Sequence, residues 1–295
     1  MFDIPVLSVV GRSLAEAYEN ALLALYRDGI NVGTQYDKPG DPKSLDCTMN
    51  ITVEEPLSEP MIHKAFPGGI EDLREYVMEV EGAKDHWCKN MNDPDDERWE
   101  YTYHGRLAKY GVWRDLVEGE SKEVGPFVVD QIEYVIQKLV EQPFTRQAQM
   151  ITWMPSLDLK VFDPPCLQSL WYRILEGDDG VWHLNCNVRF RSNDAWGANF
   201  MNMFGFVKFN EDVIAAEVAK RSGREVRLAR MNWHADSYHI YGKDLKQAEA
   251  RLFSKLESSD FEDRVFRMDD EIISEIYAEA EQAVKDKIKK YDEER

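Results

Sequence analysis

Cysteine is scarce in this chain: four in 295 residues, at Cys47, Cys88, Cys166 and Cys186, far apart and with no CxxC pair. Nothing in that spacing suggests a disulfide framework. Positive charge is also short, with 36 Lys and Arg against 55 Asp and Glu, a net charge of -19. A face that neutralises nucleic acid or an anionic membrane needs an excess of cations, so broad contact with either is not expected. Any phosphate bound is then a small one, met by a few local cations. Long apolar runs are missing too, none approaching the roughly 20 residues that span a bilayer. The start, "MFDIPVLSVVGRS", has neither the basic nor the long apolar region of a signal peptide. Together these absences predict a reduced, soluble, cytoplasmic protein. Repeats, low-complexity tracts and linkers are likewise not evident. With 43% apolar and 12% aromatic residues, enough for a large core, residues 1–295 read as one domain.

What is present alternates between two periodicities. "SLAEAYENALLALYRDG" has Ser13 as cap, apolar residues at helical spacing and Gly29 at its end, and predicts a helix. "GIEDLREYVMEVEG" and "DQIEYVIQKLVEQ" predict amphipathic helices, the second stopped by Pro143. "CTMNITVEEP" and "AQMITWMP" predict strands, and the acidic "NDPDDERWE" an exposed loop. The clearest strand is "VWHLNCNVRFRS", in which Trp182, Leu184, Cys186, Val188 and Phe190 alternate with polar residues. "EGDDG" in front of it predicts a hairpin with "LQSLWYRI", which brings Cys166 beside Arg191 despite 25 positions between them. "AWGANFMNMFGFVKFNEDVIAAEVAKRSG" is apolar all round in its first half, as a central helix would be, and "DEIISEIYAEAEQAVKDKIKKYDEER" predicts a charged helix at the surface or an interface. The chain is therefore of mixed α+β class.

Chemistry gathers where the hairpin ends. Cys166 follows two prolines and leads an apolar run, a setting that on its own suits a core cysteine. An arginine at the end of the paired strand supplies a cation that favours the thiolate, the form in which cysteine is a nucleophile. Arg191 and Ser192 offer a guanidinium fork and a hydroxyl to one phosphate. Asn199 and Asn202 are amides in an apolar stretch, and buried amides require partners, of which a ligand can be one. Metal catalysis finds little support: His234 and Asp236 are close in sequence, but no third ligand stands at a diagnostic spacing.

The order of these residues resembles the thymidylate synthase family. "PPC" ends at Cys166, "RSND" runs from Arg191 to Asp194, Asn202 follows Arg191 by eleven residues, and "HIY" spans His239 to Tyr241. Upstream, "DQIEYVIQKLVEQPFTRQAQMITW" resembles the family's helix and strand, with Arg146 at the first of its two arginine positions and Gln147 at the second. Glu75 stands seven residues before Gly82, the spacing of the family's catalytic glutamate. The resemblance covers roughly residues 45–245. It implies a three-layer fold with a bent mixed sheet at a homodimer interface, and Arg146 lent to the partner's site to meet Arg191 and Ser192 at the phosphate. Cys166 would add to C6 of a pyrimidine nucleoside monophosphate, and C5 would take a one-carbon unit from 5,10-methylenetetrahydrofolate. Glu75 would manage protons at the base, Asn202 would read the ring edge, His239 and Tyr241 would hold the sugar, and Asp194 would lie near the pterin.

Two departures bear on the product. Leu167 stands where the family usually carries histidine, and Trp171 where it carries glutamine, so water around the base is arranged differently. The chain ends in "KKYDEER" and not in the apolar tail that shields a synthase site. Water trapping of the one-carbon intermediate then yields a 5-hydroxymethyl pyrimidine, from dUMP or from CMP or dCMP. A divergent thymidylate synthase methylating dUMP, and a non-catalytic nucleotide-binding relative, are the alternatives.

Overall fold

The computed structural model describes residues 3–88, 98–111 and 128–293. Strand β1 (Val6–Gly11) leads into helix α1 (Leu14–Asp28), followed by β2 (Ile30–Val32), β3 (Ser44–Val53), β4 (Ile62–His63) and α2 (Ile70–Val80). Helices α3 (Tyr103–Ala108) and α4 (Gln131–Glu141) precede β5 (Gln149–Ile151), α5 (Pro155–Asp158), the hairpin β6 (Leu167–Glu176) and β7 (Trp182–Phe190), and β8 (Asn193–Asp194). Helix α6 (Asn199–Phe209) runs through a π-helical turn into α7 (Ala216–Ser222), and β9 (Val226–Ile240), α8 (Leu245–Arg251), β10 (Val265–Phe266) and α9 (Glu271–Glu293) complete the order. Most of the "NDPDDERWE" loop lies outside the described residues.

Local chemistry sets these limits. The Ser13 hydroxyl accepts from the Glu16 N–H, satisfying one orphan donor of α1, and the helix stops at Gly29. Asp130 caps α4 in the same way, its carboxylate accepting from the Glu133 N–H. Helix α6 is buried nearly all round through Phe200, Met203, Phe204, Phe206 and Val207, so it sits at the centre of the molecule.

The main sheet runs β1-β3-β9-β7-β6-β5, with β2 paired to β3 and β8 to β9. It is mixed: β1 and β3 are parallel, as are β7 and β9, while β3 with β9 and β5 with β6 with β7 are antiparallel. The pairing slips between Cys47 and Met49, between Leu184 and Cys186, and between Leu167 and Ser169. Each slip is a bulge, and bulges bend a sheet and re-aim the side chains beyond them. On the apolar face Phe190 stacks on Trp233 with ring centroids 4.7 Å apart, and Phe206 of α6 packs against both. Helix α2 packs outside α6, and α9 lies along α2, so sheet, inner helices and outer helices form three layers among the described residues.

Candidate active site

A cavity of about 800 Å³ opens where β6, β7, β8 and β9 end and α2 and α6 approach them. The hairpin closes as its turn residues require, Gly180 taking φ of 79°. Leu167 pairs with Phe190, and the Arg191 N–H donates to the Cys166 carbonyl at 2.8 Å, so the two chemical ends of the hairpin are neighbours. The Arg191 guanidinium then reaches across the proline segment. Its Nε donates to the Pro165 carbonyl at 3.1 Å, its Nη2 to that of Pro164, and Asp163 lies 3.6 Å away. Proline carbonyls have no helix or sheet partner here, and the guanidinium, with five N–H donors, satisfies two of them and keeps donors in reserve. Arg191 and Ser192 both line the cavity.

Cys166 is half-buried in the cavity wall, which settles its position but not its ionisation. Burial pushes the thiol up; Arg191 pulls it down, Asp163 pushes it up again, and the balance lies above the ordinary thiol value. The sequence-based expectation that Arg191 ionises this thiol is corrected to that extent. The cation acts in the expected direction, but it is shared with Asp163 and outweighed by desolvation.

Asn202 is held by a line of amides. Tyr238 Oη donates to Asn199 Oδ1 at 3.0 Å, Asn199 Nδ2 to Asn193 Oδ1, Asn193 Nδ2 to Asn202 Oδ1 at 3.1 Å, and Asn202 Nδ2 to Tyr76 Oη. The buried amides predicted in α6 thus have partners, and turning one over requires turning its neighbours. Asp194 also lines the cavity, its Oδ1 accepting from the N–H groups of Trp196 at 3.1 Å and Gly197 at 2.8 Å. A Cβ at Gly197 would stand 2.5 Å from Asp194 Oδ2, so a larger residue there would displace the carboxylate. Burial carries the Asp194 carboxyl above its usual range despite those donors. His239 is 5% exposed, with the Tyr241 ring 4.7 Å from its own.

Two expected residues lie elsewhere. Glu75 does not line the cavity; its Oε1 accepts from Lys84 and from Lys287 of α9, each at 2.7 Å. One turn further along α2, Glu79 does line it, 3.2 Å from the same Lys84 ammonium. Burial raises the Glu79 carboxyl, and the neighbouring Glu75 and Asp85 carboxylates add to the effect against the pull of Lys84. Arg146 is exposed and outside its own chain's cavity, its carbonyl accepting from the Trp171 indole at 3.1 Å. Leu167 is fully buried in the core, and neither it nor the half-buried Trp171 lines the cavity.

The cavity also includes groups that the sequence did not single out: Tyr76, Glu79, Trp99, Tyr101, Tyr103 and Asp46. Tyr76 and Glu79 follow from Glu75 by helical spacing, and the alternation of "SLDCTMNITV" puts Asp46 on the polar face of β3. Among the described residues no group of three or more His, Cys, Asp and Glu is placed to hold a metal ion, and no helix is long and apolar enough to cross a membrane. His234 is engaged by Asn50 and Asp236 at 2.8 and 3.1 Å.

With this geometry in view, comparison with known proteins finds one family. A family model for thymidylate synthase matches residues 83–277. A protein of Methanococcoides burtonii named "Putative thymidylate synthase" is 34% identical over 244 residues, covering 82% of this chain and 92% of the relative. A namesake from Methanosarcina mazei is 36% identical over 238 residues, 81% of this chain and 91% of its own. Among solved structures, thermostable thymidylate synthase A from Bacillus subtilis superposes with a TM-score of 0.57 at 18% identity, over 82% of this chain and 84% of that one. At that identity the likeness is one of fold.

Proposed function

From the premise that this chain belongs to the thymidylate synthase family, which implies a folate-dependent one-carbon transferase, we propose that it is a pyrimidine nucleoside monophosphate 5-hydroxymethylase. The observation that carries the choice of product is the pairing of Glu79 with Leu167. The residue after the nucleophile is an aliphatic side chain sealed in the core, whereas a carboxyl raised by burial faces the cavity that holds Cys166. A raised carboxyl beside a lysine suits proton transfer to and from water, the step that distinguishes hydroxymethyl from methyl transfer.

The cavity volume and lining fit both ligands. About 800 Å³ lies within the usual range for small-molecule sites, and Trp99, Tyr101 and Tyr103 offer aromatic surface to flat rings. Methylenetetrahydrofolate supplies, when bound, a carbon at the oxidation level of formaldehyde. Asp194, raised by burial and lining the cavity, would meet the pterin. Arg191 and Ser192 hold the phosphate with the donors that the prolines leave free, joined by Arg146 of a second copy. The polar sheet face around Asn50, Asn187, Asn232 and His234 is where that copy would dock.

Cys166 Sγ adds to C6 of the base, its proton leaving to water or to Glu79, and the electron pair of the C5–C6 bond moves to C5. Methylenetetrahydrofolate, when bound, would supply the one-carbon unit to C5 and leave as tetrahydrofolate, its two nitrogens taking up the protons that C5 and the attacking water shed. Glu79, through water, would accept each of those protons in turn and pass it on, and the Cys166 thiolate would be expelled as C5–C6 reforms, regaining the proton it gave up. No oxidant or reductant is consumed, in contrast to methyl transfer, where hydride from the folate is needed. Asn202, with its oxygen and nitrogen positions fixed by Asn193 and Tyr76, reads the base edge. Uracil is the first candidate and cytosine the second.

A second reading, a divergent thymidylate synthase, is favoured by the names of the methanogen relatives. Incubation with methylenetetrahydrofolate and UMP, dUMP, CMP and dCMP in turn, with products weighed by mass spectrometry, separates the two. Addition of a hydroxymethyl group with tetrahydrofolate released supports the proposal; addition of a methyl group with dihydrofolate released supports the second reading. No turnover of any of the four, or full activity in Cys166→Ala, defeats both.

A further inference from the structure

On the wall of the same cavity, strands β3 and β9 place Asp46 directly across from His239. Ser237 links them: its hydroxyl donates to Asp46 Oδ2 at 2.9 Å and its oxygen lies 3.2 Å from His239 Nδ1. Because that hydroxyl proton is spent on Asp46, the Ser237 oxygen can only accept from His239, which assigns the proton to Nδ1 and leaves Nε2 a bare acceptor. The chain of bonds thus ends in two acceptors, Asp46 Oδ1 and His239 Nε2. Both are buried, and among the described residues neither has a hydrogen-bond partner. Both residues line the cavity. Burial without a donor is costly for such atoms, and native proteins rarely leave two of them side by side without use.

Two acceptors on adjacent strands call for two donors on adjacent atoms. The geometry points to a cis-diol: the 2'- and 3'-hydroxyls of a ribonucleotide, one donating to His239 Nε2 and the other to Asp46 Oδ1, so that Asp46 selects ribose over deoxyribose. This inference rests on the reading of the cavity as a nucleotide site and goes beyond it by naming the sugar. A deoxyribonucleotide satisfies one acceptor and leaves the other dehydrated and unpaired. Sites built to hydrogen-bond a hydroxyl reject the analogue lacking it for this reason. Burial holds the Asp46 carboxyl above its usual range, and a donated hydroxyl would bring it back down. The neighbouring titratable and charged groups facing this pair are Asp194 on β8, in register with His239, and Tyr241.

Isothermal titration of the full chain with UMP, dUMP, CMP and dCMP, without folate, tests the assignment. The expected result is that a ribonucleotide binds at least about tenfold more tightly than its deoxy counterpart. In Asp46→Ala the ribonucleotide should weaken to the level of the deoxynucleotide. Equal affinities, or a preference for the deoxy form, overturn the inference while leaving the nucleotide reading in place. A preference unchanged in Asp46→Ala overturns the role of Asp46. Binding of none of the four overturns both readings together. Should Asp46→Ala fail to fold, the wild-type ratio decides, with Asp46→Ser as the second variant.

Discussion

The Arg191 side chain donates to the carbonyl of Pro165 at 3.1 Å, one residue before the cysteine that it was expected to activate. A single guanidinium therefore pins the segment that leads into Cys166, spends part of its charge on Asp163, and lines the cavity. Position and ionisation of the thiol are separable consequences of that arrangement. The free protein has the first in place; a bound dianionic phosphate would compete with Asp163 for the same charge.

The thiol should accordingly be slow to alkylate at neutral pH. Its midpoint is raised, so the neutral form persists above the ordinary thiol value of about 8.5 and the rate climbs only beyond it. Arg191→Ala removes the group that lowers it and should move the midpoint further up, whereas Asp163→Asn removes a group that raises it and should move it down. Site-resolved mass spectrometry after iodoacetamide treatment from pH 6 to 10, separating Cys166 from Cys88, measures both directions; a shift of the same sign in the two variants contradicts the balance of charges described.

Of Glu75 and Glu79 on α2, Glu79 should matter more for turnover. Glu79→Gln is expected to lower kcat by about 10²–10⁴-fold, the range of general acid–base contributions, with nucleotide affinity within a few-fold of wild type. Glu75→Gln loosens the contact of α2 with Lys287 of α9 and should act on stability first, with kcat down by less than about tenfold. Since the Glu79 carboxyl is raised from 4.5, its basic form is lost at higher pH than for an exposed glutamate, and the acid limb of kcat/KM should lie above that value. Larger loss in Glu75→Gln than in Glu79→Gln would return the role to Glu75.

The contrast between those two residues shows what the sequence discloses. Cys166, Arg191 and Ser192 were legible because one hairpin, with an unmistakable alternation in β7, must bring its open ends together. Glu75 and Glu79 share a helix face, and spacing alone does not tell which of them Lys84 draws away from the cavity. The alternation of β3 shows which face Asp46 occupies, but the residue opposite it was hidden by a bulge. Without the slip between Cys47 and Met49, Asp46 would face Tyr238 instead of His239, and a one-residue slip reverses which face a side chain occupies. Propensities report elements well; they do not report the single extra residue that aims a side chain.

Base choice should depend on residues that never touch the base. Asn202 keeps its orientation because Asn193 donates to its oxygen and Tyr76 accepts from its nitrogen. Asn193→Ala frees the amide to turn, and the ratio of kcat/KM for uracil over cytosine nucleotides should fall toward unity, by about tenfold for the loss of one buried hydrogen bond. Tyr76→Phe should act in the same direction. An unchanged ratio in both variants means that Asn202 is oriented by the ligand alone.

Away from the site, Glu19 offers a stability test. Burial pushes its carboxyl up, but Arg264 at 2.7 Å and His63 at 2.7 Å prevail and bring it down to about 2. A depressed folded value stabilises above the unfolded value near 4.5 and is lost as pH falls toward 2. The group is 8% exposed, and the shift corresponds to about 3 kcal/mol at neutral pH. Urea unfolding of wild type and Glu19→Gln at intervals from pH 7 to pH 2 should show a stability gap that closes across that window; a gap independent of pH would mean packing, not charge, is what Glu19 contributes.

The proposed lending of Arg146 to a second copy makes a prediction that no monomer could satisfy. Its side chain is exposed and outside the cavity of its own chain, so Arg146→Ala should silence the partner's site while Cys166→Ala silences its own. Each variant alone is then inactive. In a two-fold dimer formed from equal amounts of both, about half of the dimers pair the two variants, and each of those holds one site with both changes and one with neither. Subunit exchange by mild denaturation and refolding of the mixture should therefore restore roughly a quarter of wild-type turnover. Recovery near zero, with dimers verified by light scattering, would place Arg146 at its own chain's site or at none.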